Sequence, residues 1–367
     1  MATLPELLDP RDPDPAVRRM LRAWLALQEV GAWRPAEAVA ALERAPDPER
    51  ALRALDPGGG RPTDAELERR VAALARAGVL ALPLSSPLYP PRVRRLPDAA
   101  PLLCVRGDAT ALSAPAVAIV GARAATSVGR EVASNLAGDL AALGFVVVSG
   151  LARGIDAAAH RGALEAGGLS AAVLACGPDR VYPPEHAELA ERIAERGAVV
   201  SELPPGALPL RHHFPLRNRL ISGLALALVV VEARERSGSL ITAAHARDQG
   251  VEVLVVPGSV TSPTSRGSNA LLRYRPVSPC LDVDDVLKAL GLPPPEKVAS
   301  DPLAGLEGVW ERQVLAALLE EPASADELAR RLGRDPGLLA ADLVNLELTG
   351  RIARERDGRL RARRRRR

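Results

Sequence analysis

Cysteine is scarce in this 367-residue sequence, and its three copies, Cys104, Cys176 and Cys280, lie far apart. An odd number of widely separated cysteines argues against a disulfide framework and for a reducing compartment. The sequence also lacks a CxxC pair and any Cys/His spacing of the kind that holds zinc. It therefore gives no indication of a disulfide scaffold or of a metal centre.

Long apolar runs and a leader pattern are also missing. No stretch of 18 consecutive apolar residues occurs, and the N-terminus has no basic segment followed by an apolar core. We therefore expect a cytoplasmic protein without membrane attachment. With 47% hydrophobic residues, the chain can bury a core large enough for two or three domains.

Lysine is nearly absent, since the basic side chains are arginine apart from Lys288 and Lys297. A Walker A loop needs a lysine in GxxxxGK, so the lack of lysine before residue 288 excludes nucleotide hydrolysis by that route. The net charge of +3 is too small to indicate a partner. Arginine richness with much Ala, Leu, Pro and Gly is typical of a GC-rich genome and is weak evidence of function.

Two apolar runs that end at glycine organise the middle of the sequence. Residues 117–120 lead into Gly121-Ala122-Arg123, and residues 145–148 lead into Ser149-Gly150-Leu151-Ala152-Arg153-Gly154. Such runs without polar alternation are typical of parallel strands covered on both faces, and the segment 134–143 between them has helical spacing. Both loops would lie at the carboxyl edge of a sheet, where helix N-termini attract anions. The pattern predicts a phosphate-binding edge.

Further apolar runs repeat this arrangement and end in small or polar residues: 171–175, 198–200, 226–231 and 251–256. Helical stretches separate most of them. This alternation predicts an α/β fold with a doubly wound, mainly parallel sheet from about residue 115 to 290. We interpret the run at 100–105 as an edge strand of the same sheet.

The flanks of the predicted sheet have helical patterns. Asp-Pro and Gly-Gly-Gly breaks separate three predicted N-terminal helices: 17–27, 35–42 and 64–77. Near the other end, three amphipathic stretches precede a hairpin pattern at Asp357-Gly358, which predicts a winged helix. The expected organisation is a helical domain, a sheet domain, a linker, and a winged helix with a disordered basic end: 1–82, 83–291, 292–307 and 308–367.

A dinucleotide does not fit the predicted edge. The first loop has no GxGxxG, and the second strand ends at Ser149 where an acidic residue would bind the ribose. Asp156 and His160 lie four residues apart on one predicted helix face, but no third group at a recognisable spacing completes a hydrolytic site. We interpret Asp156 as a helix cap or a partner of Arg153, and we expect neither catalysis nor a cofactor.

The segment 211–219 combines an aromatic residue with several cations. Phe214, one of only two phenylalanines, stands among Arg211, Arg217 and Arg219. Arginines neutralise a phosphate backbone, and an aromatic face stacks on any base for roughly 1–3 kcal/mol. We interpret the segment as a platform for single-stranded nucleic acid. A basic surface loop with Phe214 packed beneath it is the alternative.

Ser237-Gly238-Ser239 opens another predicted helix after a strand. Its small hydroxylated residues are typical of an N-cap, and they can also donate to a phosphate oxygen. Alone, the motif is weak evidence. Together with Arg123, Arg153 and the segment around Phe214, it predicts a row of anion sites suited to a polymer.

These motifs together resemble the DNA-processing protein family DprA, also called Smf. The resemblance rests on Val120-Gly121-Ala122-Arg123, residues 149–156 with His160, Tyr182-Pro183, Ser201-Glu202, residues 214–224, Val231-Glu232-Ala233, residues 237–242 and Val256-Pro257-Gly258. The helical N-terminus and the winged-helix pattern also look like the layout of the family. The resemblance thus spans nearly the whole chain.

The resemblance implies an extended Rossmann-like domain that binds single-stranded DNA, a homodimer, and transfer of incoming strands to the RecA recombinase in natural transformation. It implies no catalytic turnover. Arg123, Phe214 and Arg217-Asn218-Arg219 match the family directly, and Arg211 stands where the family has a basic residue three places before the phenylalanine. The other expected DNA contacts lie in the loops: Gly121, Ser149, Gly150, Arg153, Gly154, Ser237, Gly238 and Ser239.

The sequence departs from the family in two places. Ala122 stands where the family often has serine, which removes one hydroxyl donor, and Arg273-Tyr274-Arg275 replaces a usual Gly-Ala pair.

Two other functions remain open. Related Rossmann-like enzymes that cleave phosphoribosyl bonds have a motif resembling PGGxGTxxE, whereas residues 232–239 of this chain read EARERSGS. A sequence-specific repressor would act through its winged helix, with Arg334, Arg351 and Arg354 on the DNA backbone.

Overall fold

The structure, a computed structural model, describes residues 6–32, 34–56, 58–274, 276–294, 303, 306, 308–355 and 357–362. It divides into two compact units, Met1–Pro294 and Pro295–Arg367. Arg275, most of the expected linker and the last five arginines of the basic end lie outside the described residues.

In the described part of the first unit, nine strands form one sheet: β1 (Leu80–Pro83), β2 (Leu102–Gly107), β3 (Ala116–Val120), β4 (Val146–Ser149), β5 (Ser170–Val173), β6 (Ala198–Ser201), β7 (Ala227–Val230), β8 (Glu252–Val255) and β9 (Val277–Pro279). Their order across the sheet is β1-β2-β6-β5-β4-β3-β7-β8-β9. Neighbours from β6 to β9 are parallel, while β2 is antiparallel to both β1 and β6. The predicted doubly wound, mainly parallel α/β sheet is confirmed.

The strand expected at the sheet edge lies one position further in. β2 pairs with β6 on one side and with β1 on the other, so β1 is the edge strand. The sequence pattern missed β1 because the strand lies in a proline-rich stretch and ends at Pro83. Both edge strands end in proline, at Pro83 and Pro279. Proline has no N–H group to donate to the ladder, and an edge strand tolerates this because it has a neighbouring strand on one side only.

Twelve helices are described in the first unit: α1 (Pro15–Gly31), α2 (Pro35–Arg44), α3 (Pro48–Leu55), α4 (Asp64–Ala77), α5 (Pro91–Arg94), α6 (Ser127–Ala142), α7 (Ile155–Glu165), α8 (Ala187–Arg196), α9 (His213–Leu224), α10 (Gly238–Asp248), α11 (Arg266–Leu271) and α12 (Val283–Ala289). Residues of α9 and α10 pack on Ala118 and Val148, and residues of α6, α7 and α12 pack on Val117 and Val147. Adjacent strand residues therefore point to opposite covered faces, which explains the apolar runs without polar alternation.

The N-terminal helices pack against the antiparallel side of the sheet. Trp24 and Leu27 of α1 share a core with Ala81 of β1 and Leu102 of β2. Helix α4 has the bounds that the sequence predicted. The pattern missed α3, because its Asp-Pro start resembles a break, although Asp47 caps the helix by accepting from Arg50 N at 2.8 Å.

The second unit is a winged helix, as the sequence predicted. It consists of α13 (Val309–Glu320), α14 (Ala325–Leu332), α15 (Pro336–Leu348) and a ribbon of β10 (Ile352–Arg354) and β11 (Leu360–Ala362). A core that includes Val314, Leu328, Leu343 and Leu360 joins the three helices to the ribbon. In the described parts of both units, no helix is long and apolar enough to cross a bilayer.

The order of the strands reverses between β3 and β7. The chain passes from β3 through β4 and β5 to β6 on one side, and then returns to β7, β8 and β9 on the other. The loops that follow β3 and β7 therefore diverge and leave a crevice at the carboxyl edge of the sheet. This reversal determines where a ligand can enter the fold.

Gly154 holds two of the edge loops together. Its φ is +77°, and a Cβ there would lie 2.2 Å from Ala122 O and 2.6 Å from Arg123 O. At Gly238, by contrast, a Cβ would have no atom within 4 Å.

Gly154→Ala should therefore lower the free energy of unfolding by at least about 2 kcal/mol, because left-handed backbone strain adds to the overlap with two carbonyl oxygens. Urea denaturation measures this change. Gly238→Ala is the matched control and should change the free energy of unfolding by less than about 0.5 kcal/mol. Equal stability of the two variants would contradict the packing described for Gly154.

Candidate nucleic-acid interface

A cleft of about 420 Å³ opens at the carboxyl edge, between the loops that follow β3 and β7. The structure brings many of the predicted contact residues together in its lining: Gly121, Arg123, Phe214, Arg217, Asn218, Ser237, Gly238 and Ser239. Other predicted residues lie outside this lining: Ser149, Gly150, Arg153, Gly154, Arg211 and Arg219.

Arg123 and Phe214 contact each other in the cleft. The guanidinium carbon of Arg123 lies 4.8 Å from the centroid of the Phe214 ring, which is a cation–π arrangement. Arg123 follows β3 and is exposed, while Phe214 lies in the first turn of α9 and is half-buried. The cleft thus combines a cation with an accessible aromatic ring.

Two arginines in the lining were missed by the sequence analysis. Arg234 and Arg236 are exposed in the loop between β7 and α10, and both line the cleft. They stand between Glu232 and Ser237, two residues that belong to the quoted motifs. Because Arg234 and Arg236 flank Glu235, their sequence cannot be distinguished from that of an ordinary charged surface loop.

The loop after β4 is not an open phosphate site, which corrects the expectation for Gly150. The N–H groups of Gly150 and Ala152 donate to Oδ2 of Asp156 at 3.2 and 3.4 Å. Leu151 between them has a φ of +56°. A residue with positive φ can direct the N–H groups on either side of it towards one acceptor. Burial raises the pKa of Asp156, an effect that the nearby Arg217 opposes. The carboxyl group of Asp156 therefore fills this site.

Ser149 has to be corrected in the same way. It is fully buried, and its hydroxyl group donates to Ile119 O at 2.6 Å. The side chain joins β4 to β3 and cannot reach a ligand in the cleft. Gly154 likewise packs against backbone, as described above, so both residues support the edge from beneath.

The start of α6 is also occupied by a carboxylate of the chain. Glu232 accepts from Thr126 N at 3.0 Å and from Thr126 Oγ1 at 2.6 Å. At α10, by contrast, Ser237 caps the helix by accepting from Ser239 N at 3.4 Å, and Gly238 faces open space. Of the helix starts after β3, β4 and β7, the one after β7 opens onto the cleft.

Arg217 contributes charge beneath the floor of the cleft. It is only 4% exposed, and its Nη1 donates to Gly150 O at 2.8 Å and to Val173 O. Burial lowers the pKa of Arg217 to about 10, so the group stays positive at neutral pH. Asn218, its neighbour, donates to Gly238 O at 3.2 Å and thereby holds the start of α10 in place.

Arg219, another expected contact, lies outside the lining of the cleft. It is 4% exposed and forms ion pairs with Glu202 at 2.5 Å and Asp98 at 3.0 Å. Residues two apart on a helix do not share a face, so Arg217 and Arg219 project to different sides of α9. Arg219 ties α9 to the segments before β2 and after β6.

Arg153 and Arg211 lie on the surface outside the cleft lining. The side chain of Arg153 is 61% exposed and pairs with Glu185. An exposed ion pair of this kind contributes about 0–1 kcal/mol, so Arg153 can exchange its carboxylate partner for a phosphate at little cost.

The third helix of the winged helix, α15, offers no cation to a duplex. Helix α15 contains no lysine or arginine and carries Asp342 and Glu347. Arg334 pairs with Asp342 at 2.7 Å and lies over the Trp310 ring, while Arg354 pairs with Glu347 at 3.2 Å. These pairs argue against a repressor that reads a major groove with α15, where recognition helices carry the base and phosphate contacts.

Comparison with known proteins agrees with this organisation. The family model of DNA recombination-mediator protein A matches residues 81–291, and the model of the DprA winged helix domain matches residues 299–358. The chain is 45% identical over 252 residues to the putative DNA processing protein DprA of Mycobacterium tuberculosis, covering 67% of this chain and 64% of that relative. It is 37% identical over 290 residues to protein Smf of Escherichia coli, covering 77% of each chain.

Solved structures give the same result. DNA processing protein A from Streptococcus pneumoniae superposes with a TM-score of 0.62 at 30% identity, over 73% of this chain and 97% of that one. DNA processing protein A from Helicobacter pylori, whose structure concerns a single-stranded DNA binding mode, has a TM-score of 0.51 at 29% identity, over 55% and 92%. Since the recombination-mediator model covers more than half of the chain and the E. coli relative is matched over 77% of its length, the chain belongs to the DNA recombination-mediator protein A (DprA, or Smf) family.

Proposed function

We propose that this protein binds single-stranded DNA in the cleft at the carboxyl edge of the sheet and hands the strand to the RecA recombinase. The observation that carries the binding proposal is the Arg123 guanidinium on the Phe214 ring, 4.8 Å from its centroid, inside the cleft. The protein acts in the cytoplasm as a homodimer and without catalytic turnover. Transfer to RecA, the homodimer and the compartment rest on family membership.

The geometry of the pair suits an unpaired strand. A guanidinium stacked on a ring keeps its N–H donors at the rim of its plane, so Arg123 can donate to a phosphate while it stays on Phe214. The remaining ring surface can stack on a base of any identity. Arg234, Arg236 and the open start of α10 add positive charge on the other side of the cleft.

The contacts are backbone-directed and sequence-tolerant. The lining includes guanidinium and hydroxyl groups, which bind phosphates, and an aromatic ring, which stacks on base faces. The structure of the Helicobacter pylori relative, which concerns single-stranded DNA, supports the same ligand for this chain.

Three titratable groups near the cleft, Asp156, Glu232 and His160, support a binding role without turnover. Asp156 is buried with two backbone N–H donors, and Glu232 is held by Thr126. His160 is fully buried beside Ser170 Oγ at 2.7 Å, and burial lowers its pKa to about 3, so it stays neutral. These three groups are engaged in the fold rather than placed for acid–base work on a ligand.

Titration of the intact protein with labelled single and double strands of one sequence tests the function. We expect tighter binding of the single strand, little dependence on sequence, and a slope of log affinity against log salt of about −0.7 per phosphate contact. Tighter binding of the duplex would contradict the proposal. Release of free base from nucleoside monophosphates under the same conditions would support the phosphoribosyl-cleaving alternative instead.

Arg123→Ala should weaken single-strand binding and make the salt slope less steep by about 0.7, because one phosphate contact is lost. The slope comes from anisotropy titrations at four or more salt concentrations. Arg192→Ala is the matched control, since Arg192 is an exposed arginine on α8, outside the cleft lining. An unchanged slope in Arg123→Ala would remove this residue from the phosphate contacts.

Phe214→Ala should weaken single-strand binding by roughly 1–3 kcal/mol and leave the salt slope nearly unchanged, because stacking releases no counterions. In the double variant Arg123→Ala/Phe214→Ala, the loss of binding free energy should be smaller than the sum of the losses in the two single variants, since the residues are in contact. Affinity titrations of the four proteins give this coupling. Wild-type affinity in Phe214→Ala would exclude the ring from the site.

A further inference from the structure

Tyr182 presents a second aromatic ring beside Phe214. We propose that Tyr182 stacks on the base next to the one on Phe214, and that the angle between the two rings makes the site select unpaired strands over duplex. This inference rests on the proposed function and adds a residue and a source of selectivity to it.

The geometry of the two rings is defined by their separation and inclination. Their centroids lie 5.7 Å apart, and their planes are inclined by 68°. The edge of one ring therefore meets the other, as in the favoured T-shaped arrangement of aromatic pairs. Arg123 lies over Phe214 as well, so the half-buried ring has a cation and a second ring as neighbours.

The exposure of Tyr182 is unusual for an aromatic residue of this unit. Tyr182 is 38% exposed, whereas Trp24, Tyr89 and Phe145 are buried. In the described part of the first unit, the other aromatic residue exposed by more than a third is Tyr274, at 54%. A ring left open to solvent beside Phe214 is available to a ligand.

Positive charge accompanies Tyr182 along the sheet edge. The strands stand in the order β5, β4, β3 and β7, so the loops that follow them are neighbours. Arg180, Arg153 and Arg123 follow β5, β4 and β3, and all three are exposed. The three arginines therefore lie in successive loops at this edge of the sheet. A strand that passes from Phe214 to Tyr182 keeps its phosphates near guanidinium groups.

The inclination of the rings discriminates against duplex. Neighbouring bases of a duplex are held parallel by pairing and stacking, and two parallel bases cannot both lie flat on rings that differ by 68°. An unpaired strand can rotate about its backbone and unstack one base from the next, which costs less when no partner strand is lost. Tyr182 therefore adds binding energy to single strands and none to duplex.

A structural role for Tyr182, as a support for Phe214, leads to different results. A support is largely replaced by another apolar side chain of similar bulk, while a stacking face is not. Tyr182→Leu keeps apolar contact with Phe214 but removes the aromatic face. Tyr274→Ala is the matched control, because Tyr274 is also an exposed tyrosine beside an arginine, with Arg247 at 5.4 Å from its ring centroid.

The test measures the affinity of the full chain for a labelled single strand and for its duplex by fluorescence anisotropy. We expect Tyr182→Ala and Tyr182→Leu each to lose about tenfold in single-strand affinity, which corresponds to about 1.4 kcal/mol and lies within the range for one stacked base. Duplex affinity should stay within about twofold, so the selectivity ratio falls about tenfold. Tyr274→Ala should bind like the wild type. Thermal unfolding checks that each variant is folded.

Photocrosslinking of the wild type gives a readout that a supporting role would not produce. An oligonucleotide with 5-iododeoxyuridine, irradiated in the complex and analysed by mass spectrometry, should give crosslinks at both Tyr182 and Phe214. Crosslinks at Phe214 without any at Tyr182, or wild-type affinity in both Tyr182 variants while Phe214→Ala binds weakly, would overturn this inference and leave the proposed function standing. Failure of the wild type to bind single strands would overturn both.

Discussion

The contact between the Arg123 guanidinium and the Phe214 ring joins the loop after β3 to the first turn of α9, and the cleft depends on it. Its position follows from the reversal of strand order between β3 and β7, which separates the two flanking loops. Gly121 allows the loop after β3 to pack closely against Ile155 and Glu232, because a Cβ there would come within 2.6 Å of Ile155 Cγ1 and 2.9 Å of Glu232 O. The close packing at Gly121 and the reversal of strand order thus place the Arg123 guanidinium on the Phe214 ring.

The charges of the chain itself decide which parts of the edge remain open. Asp156 fills the backbone donors after β4, and Glu232 fills those at the start of α6. Arg217 satisfies carbonyl groups below the floor and leaves a buried positive charge there. Because internal carboxyl groups occupy these donors, the proposed function leaves the guanidinium groups and the start of α10 to the polyanion. The loops at this edge therefore differ in which backbone donors remain open, although their glycine-rich sequences look alike.

Much of the fold could be predicted because strands that are buried on both faces have apolar runs without polar alternation. The apolar runs that end at Gly121 and Gly150 gave the strands, and the bounds of α4 followed from its capping residues. The site was less predictable, since the partner of a polar group depends on tertiary packing. No pattern distinguishes the buried Ser149 and Arg219 from exposed serines and arginines elsewhere in the chain, and Arg234 lies among other charged loop residues. The spacing of the motifs predicted the carboxyl edge of the sheet as the site. The role of each residue there depends on its contacts in the folded structure.

Hydrogen–deuterium exchange of the full chain, with and without an unpaired oligonucleotide at saturating concentration, tests the central claim most directly. Amide exchange reports which segments become ordered or covered when a ligand binds. The account predicts that protection concentrates in residues 121–124, 211–218 and 234–239, at the carboxyl edge of the sheet, with little change in α15. Protection confined to the winged helix, with the edge loops exchanging as in the free protein, would contradict it.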